Sequence, residues 1–218
     1  MRKDIVLVGM KTNEETDKAV SLIDGAVQEM VTALNSGTVR PAASELVNCT
    51  SGIARDASGL VRDASGLVRD LAGAVKDDAT AEQYKTIAQM IQDLCRETGR
   101  FSRYCRTFTD LAGREEPDSM MKDALCLVSD VCGMVRNASL LSEKILASLH
   151  GNSGETTTSL GQRVECIRKK VADLENQSEF VADSKETSSL IVNASGLVRD
   201  ASGLVRDISG LIRGNGWR

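Results

Sequence analysis

The chain has 218 residues, only two prolines, 3% aromatic residues and a net charge of −4 from 27 Lys+Arg and 31 Asp+Glu. That length buries a substantial core in one large domain or two small ones, and the scarcity of proline and aromatics excludes an all-β protein. The acidic balance excludes a global attraction to nucleic acid or anionic lipid, and no stretch reads as the ~20 apolar residues of a membrane span.

Helix punctuation is legible along the whole chain. The Ile5-Val6-Leu7-Val8 run, soon followed by Lys11, is too short for a signal-peptide core, so residues 1–12 read as an N-terminal extension. Thr12-x-x-Glu15 is a capping-box pattern that predicts a first helix over 13–35, closed by Asn35-Ser36-Gly37. Pro41 suits the first turn of a second helix, 41–77. Thr80-Ala-Glu-Gln83 is another capping box, opening a third helix over 81–112 that Gly113 ends. Pro117 fits the first turn of a fourth, 117–150, stopped by Gly151. A Gly/Ser/Thr stretch at 151–159 leads into a fifth, 157–182, and Asp183-x-x-Glu186 caps a sixth, 184–213, before a tail at 215–218. Nothing at 183–186 forbids helix, so the last two are also readable as one.

Short connections make consecutive helices antiparallel neighbours. Helices of 30 or more residues are roughly 45–55 Å long. The expectation is an all-α fold, an elongated up-and-down bundle of five or six long antiparallel helices with heptad periodicity, forming one domain over 13–214.

The fourteen residues ASGLVRDASGLVRD occur at Ala57–Asp70 and again, letter for letter, at Ala194–Asp207. Each copy lies in a longer run of degenerate heptads, Ala43–Asp77 and Thr187–Gly214, and a fainter run spans Ala124–Gly151. Apolar residues three and four apart belong to packed helices. These runs fall on helices two, four and six, which an up-and-down order makes mutually parallel. On a helical wheel Ala, Leu and Val of each unit share an arc of about 100°, and Arg, Gly, Asp and Ser occupy the rest. Gly52, Gly59, Gly66, Gly73, Gly196, Gly203 and Gly210 therefore form a ridge almost opposite the alanines. Each costs about 1 kcal/mol against alanine, so the ridge either admits another backbone closely or is an unpolished product of duplication. Identical heptads also leave register to caps and flanks, which invites slippage and self-association.

Catalytic chemistry has little support. His150 is the only histidine, and there is no P-loop, GxGxxG or GxSxG. At a helix C-terminus a histidine complements the dipole, and the pairs Asp77-Asp78 and Glu115-Glu116 do the same at helix starts. Cys49, Cys95, Cys105, Cys126, Cys132 and Cys166 form no CxxC and read as buried free thiols, with neither catalytic residue nor metal site implied. The least generic segment is a stripe, Arg96, Arg100, Arg103 and Arg106, interleaved with Phe101, Tyr104 and Phe108. Arginines beside aromatics bind anionic partners; the plainer reading has the aromatics in the core and the arginines along its edge. Arg163 and Arg168-Lys169-Lys170 flank the apolar Val164, Ile167, Val171 and Leu174 on helix five, read as a core helix whose charge Glu165, Asp173 and Glu175 dilute. Trp217, the only tryptophan, either anchors a partner or caps the bundle.

Small-residue heptads, Ser/Thr-spotted helices and scattered cysteines, as in Ser44–Val75 and Ala124–Leu149, resemble the rod bundles of the talin, vinculin and α-catenin group. The resemblance implies a cytoskeletal scaffold whose bundle opens to present an amphipathic helix. The expected function is a non-catalytic, cytoplasmic scaffold or adaptor without cofactor, binding protein partners through amphipathic helices, with self-association through the heptads, no nucleic acid and no strong membrane affinity. The alternatives are a reversible lipid-surface binder and an engineered or expanded bundle whose repeats have no evolved function.

Overall fold

The computed structural model describes residues 2–113, 117–149, 155–181 and 183–215, and among these the chain is helical with no strand. Six long helices follow in order: α1 (Arg2–Asn35), α2 (Ser44–Ala74), α3 (Asp78–Ala112), α4 (Pro117–Ser148), α5 (Glu155–Ser178) and α6 (Ser184–Asn215). A single 3-10 turn, Pro41–Ala43, leads into α2.

The first helix does not begin at 13. It starts at Arg2 and runs straight through Thr12, so the expected N-terminal extension is helix. Its buried positions explain why: Ile5, Gly9, Thr12, Thr16, Ala19, Ile23, Ala26 and Met30 are alternately four and three residues apart, an unbroken inward stripe. Thr12 is no cap. Its hydroxyl returns to the Val8 carbonyl at 2.8 Å and accepts the Gln92 side-chain amide of α3 at 2.9 Å. At the other end Gly37, with φ +70°, supplies the left-handed residue that lets the chain leave the helix.

Other boundaries move by a few residues. Asp77, rather than Thr80, caps α3: its carboxylate accepts the Thr80 amide at 2.8 Å while the Thr80 hydroxyl accepts the Asp77 amide at 3.1 Å. That bond to the Thr80 amide holds the Asp77 carboxyl below its usual range. Helix α2 stops at Ala74, α5 spans Glu155–Ser178 where 157–182 was expected, and α6 extends to Asn215. Helices α5 and α6 are separate, and Asp183 accepts the Glu186 amide at 2.8 Å at the start of α6. His150, Gly151, Glu115-Glu116 and Trp217 lie outside the described residues.

The helices pack as two triads that share a broad face. Helix α1 packs on α2 and α3, α5 packs on α4 and α6, and the triads meet through α2 against α6 and α3 against α4. The middle four helices enclose most of the core, with Tyr84, Phe101, Phe108, Leu60, Leu67, Val131 and Leu204 at or near zero exposure. Helices α1 and α5 are outer helices. The stretch Ser119–Ser148 of α4 is long and apolar enough by composition to cross a membrane, contrary to the reading of the sequence. Its apolar side chains, among them Leu127, Val131, Val135, Leu141 and Ile145, are buried against the neighbouring helices. A helix packed on several others carries more than one apolar face, which accounts for the composition.

Candidate functional site

The polar letters of the repeat do more than solubilise it. In α6, Ser195, Ser202 and Ser209 donate to Asp56, Asp63 and Asp70 of α2, each at a separation of 139 residues. One turn further along α6, Arg199, Arg206 and Arg213 reach the same three carboxylates at 3.3, 2.9 and 3.4 Å. A constant separation over three heptads means that α2 and α6 run in the same direction along this seam. Each carboxylate is thus closed between a serine and an arginine four residues apart. The aspartates are 19–24% exposed and the arginines 64–66%, so each clasp is a nearly buried anion under a solvated lid.

The same tool acts elsewhere. Ser58 of α2 donates to Asp24 of α1 at 2.8 Å, and Arg62, four residues on, pairs with that carboxylate. Helix α6 in turn offers its own aspartates to α5, where Lys170 meets Asp200 at 2.8 Å and Arg163 meets Asp207. Three of the four ASGLVRD units are therefore three-sided, the exception being Ala64–Asp70, whose Ser65 donates to Asn13 of α1 at 3.4 Å. Ala, Leu and Val enter the core, the Ser/Arg pair grips one neighbour and Asp is gripped by the other. The serines, placed outside the apolar arc by the wheel, are buried for this reason, at 1–9% exposure for Ser58, Ser65, Ser195, Ser202 and Ser209.

The glycine ridge is the remaining side, and it contacts no backbone. A Cβ at Gly52, Gly66, Gly73, Gly196 or Gly210 would meet nothing within 4 Å; at Gly59 it would reach the Ser202 hydroxyl at 4.0 Å, and at Gly203 the Arg163 guanidinium at 3.6 Å. Close helix approach is thus not what the ridge provides within this chain. Gly9 of α1, outside the repeat, is the glycine that packing requires: a Cβ there would lie 2.8 Å from the hydroxyl of the buried Tyr84.

The arginine stripe of α3 is divided between two seams. Arg106 lies 3.3 Å from Glu29 of α1, without hydrogen-bond alignment, and Arg100 acts on Asp130 of α4. Arg96 pairs with Asp93 on its own helix, and Arg103 is exposed. Phe101 and Phe108 are fully buried while Tyr104 is 39% exposed. Three of the four arginines thus have an acidic neighbour.

Comparison of the chain with protein-family models, curated proteins and solved structures finds no match. Function has to be read from the geometry itself.

Helix α5 is the most loosely held of the six. At 24 residues it is the shortest, and its buried residues are one stripe, Leu160, Val164, Ile167, Val171 and Leu174. The stripe is flanked by ion pairs to α4 (Arg136–Glu175, and Arg168–Glu143 at 3.3 Å) and by the pairs to α6 described above. Shallow open grooves line this hairpin. One holds Lys170, Leu174, Val192, Gly196 and Leu197; another, at the turn, holds Phe180, Val181 and Leu190. Phe180 is 81% exposed and Val192 52%. Val192 occupies the arginine position of the first, degenerate heptad of α6, so no clasp forms there.

No group of three or more potential metal ligands occurs among the described residues. The cysteines are free thiols: Cys95, Cys105 and Cys132 are buried, Cys49 and Cys126 half-buried, and Cys166 on α5 exposed. Burial pushes the Cys132 thiol up to about 11 and the Cys95 thiol up to about 12, and raises Cys105 further still. The thiolate is the nucleophile, so limiting maleimide at neutral pH is expected to modify Cys166 first and the three buried thiols only on denaturation. Peptide mapping of the early adduct checks this, and early labelling of Cys105 would contradict the packing.

Asp130 is the strained anion of the α3–α4 seam. Burial raises its carboxyl above the usual value against the opposing pull of Arg100, and its Oδ2 is buried without a hydrogen-bond donor. The folded state therefore holds the proton more tightly than the unfolded chain does. Its contribution is fully present below the ordinary aspartate range, near ~4, and is lost as pH rises through the raised value. Asp130→Asn is thus expected to be more stable than the parent at pH 7, with the advantage shrinking on acidification toward that range, as read by urea midpoints across pH.

Proposed function

We propose that this chain is a non-catalytic helical-bundle scaffold or adaptor of the cytoplasm that binds a protein partner by exchanging its outer helix α5 for an amphipathic helix of that partner. In this reading the six helices form an elongated up-and-down bundle with heptad periodicity throughout, in the style of the talin, vinculin and α-catenin rods. The single observation that carries it is the hold on α5: one five-residue stripe on α4 and α6, against the clasped and doubly packed α2 and α6. Helix-in-groove recognition needs such a stripe and a groove of matching spacing, and α5 and its seat already have both. Exposed ion pairs beside it add little to its retention, ~1 kcal/mol or less each.

Hydrogen exchange tests the reading. Amides of 160–174 are expected to exchange through a local opening well before those of 57–70 and 197–208. A fluorescent peptide of residues 155–178 should then bind the intact protein by displacement. Exchange of α5 only with global unfolding, or no peptide binding, would contradict it.

One observation favours a second reading. Val6, Leu7 and Met10 form a solvent-facing apolar group on the first turns of α1, each 56–68% exposed, which suits a reversible seat on a lipid surface. Co-sedimentation with neutral and anionic vesicles decides it, and an absence of binding to both removes it.

A further inference from the structure

The repeat seam distinguishes its native register from its neighbours by only one clasp in three. If α6 slid along α2 by one heptad, about 10.5 Å at 1.5 Å per residue, its Leu and Val positions would be refilled by identical or similar residues, while Thr187 or Ile208 would take an alanine's place. Two of the three clasps would also re-form: Asp56 with Ser202 and Arg206, and Asp63 with Ser209 and Arg213, in one direction; Asp63 with Ser195 and Arg199, and Asp70 with Ser202 and Arg206, in the other. The α5–α6 seam is degenerate as well. Arg163–Asp207 and Lys170–Asp200 are one heptad apart on both helices, so a slide of α6 past α5 exchanges partners and keeps one pair: Arg163 with Asp200, or Lys170 with Asp207.

The α4–α5 seam is built differently. Its two pairs are also one heptad apart on both helices, yet their signs alternate: Arg136 of α4 faces Glu175 of α5, and Glu143 of α4 faces Arg168 of α5. A one-heptad slide of the α5–α6 hairpin breaks both pairs and brings Arg136 opposite Arg168 in one direction, or Glu143 opposite Glu175 in the other. Charge alternation of this kind is how heptad helices distinguish registers that their apolar faces do not.

We propose that α5 is the register lock of the fold: the alternating pairs Arg136–Glu175 and Glu143–Arg168 hold the α5–α6 hairpin, through the short connection between its helices, in one of several registers that the repeats on α2 and α6 would accept. This is a property of the bundle alone and does not depend on a partner displacing α5. It assigns α5 a role that its light packing hides. Loosening that helix frees α6 to step along α2 in units of seven residues.

The experiment uses the whole chain with Cys49, Cys126 and Cys166 changed to serine and spin labels at Arg55→Cys on α2 and Gly210→Cys on α6. These sites lie far apart along the bundle, so a heptad step changes their separation by about 10 Å. The otherwise wild-type chain should give one distance. Arg136→Glu with Glu175→Arg keeps both native pairs attractive but makes α4 uniformly acidic and α5 uniformly basic at these positions. Slipped registers then regain an attractive pair in place of a like-charge one, and a second distance is expected. Adding Glu143→Arg and Arg168→Glu restores alternation with every sign inverted and should return a single distance. One distance in the twofold swap, two in the fourfold swap, or two in the wild-type background would each overturn the proposal. So would loss of helicity in the twofold swap, because its native pairs are intact.

Discussion

Gly52→Ala, Gly66→Ala and Gly196→Ala together are expected to raise stability by about 3 kcal/mol, at about 1 kcal/mol for each interior helical glycine. For a domain of this size that corresponds to roughly 6–12 °C in Tm. The three positions lie inside α2 and α6, and an added Cβ meets nothing within 4 Å at any of them. The whole propensity gain is therefore retained, with no packing cost to set against it. Gly9→Ala supplies the contrast. It brings the same propensity gain, but its Cβ would press on the Tyr84 hydroxyl at 2.8 Å, so the fully buried ring or the helix must shift. A lower Tm is expected there. Thermal denaturation of the four variants checks both, and a flat or falling Tm in the triple variant would mean that the ridge packs against something.

Asp63→Ala should cost about 2 kcal/mol. The carboxylate receives the buried Ser202 hydroxyl and both Nε and Nη2 of Arg206, at 3.3 and 2.9 Å for the latter. Hydrogen bonds to a charged partner contribute roughly 1.5–3 kcal/mol. The serine, 7% exposed, loses its acceptor. Arg206→Ala should cost clearly less, because a guanidinium two-thirds exposed is largely hydrated in either state. The inequality matters more than the number. Equal costs for Asp63 and Arg206 would place the clasp in solvent rather than in the seam. Urea denaturation at constant m-value reads it directly.

Helix content was legible because its signals are local. Pro41, Gly113, Pro117 and Asp183 fall where the sequence puts helix ends, and the small, regular heptads leave little room for another secondary structure. What escaped the sequence is the part that depends on neighbours. The start of α1 was misplaced because Gly9, Thr12 and Thr16 occupy inward positions and break the apolar pattern, although their four-and-three spacing continues that of Ile5, Ala19 and Ile23. Thr12 reads as a cap by composition and is a buried rung by partner, since Gln92 is 80 residues away.

The repeat shows the same limit more sharply. A wheel places Ser, Gly, Arg and Asp together as the face away from the core, and only tertiary pairing separates them into a grip, a gripped anion and an open ridge. The Ser-x-x-x-Arg spacing and the recurring Asp are plain in the sequence. What they lacked was the identity of the facing helix. The division of the α3 arginine stripe was hidden for a similar reason: Glu29 and Asp130, which divide it, lie on α1 and α4.

The duplicated heptads form one parallel, register-specific seam, clasped rung by rung between α2 and α6. Double-mutant cycles test it most directly, because coupling energy appears only between groups that meet. Asp63→Ala combined with Ser202→Ala is predicted to show a coupling of about 1 kcal/mol, within the usual range for contacting pairs. Asp63→Ala combined with Ser195→Ala, one heptad out of step, should be additive. Additivity in both cycles, or equal coupling in both, would contradict the seam.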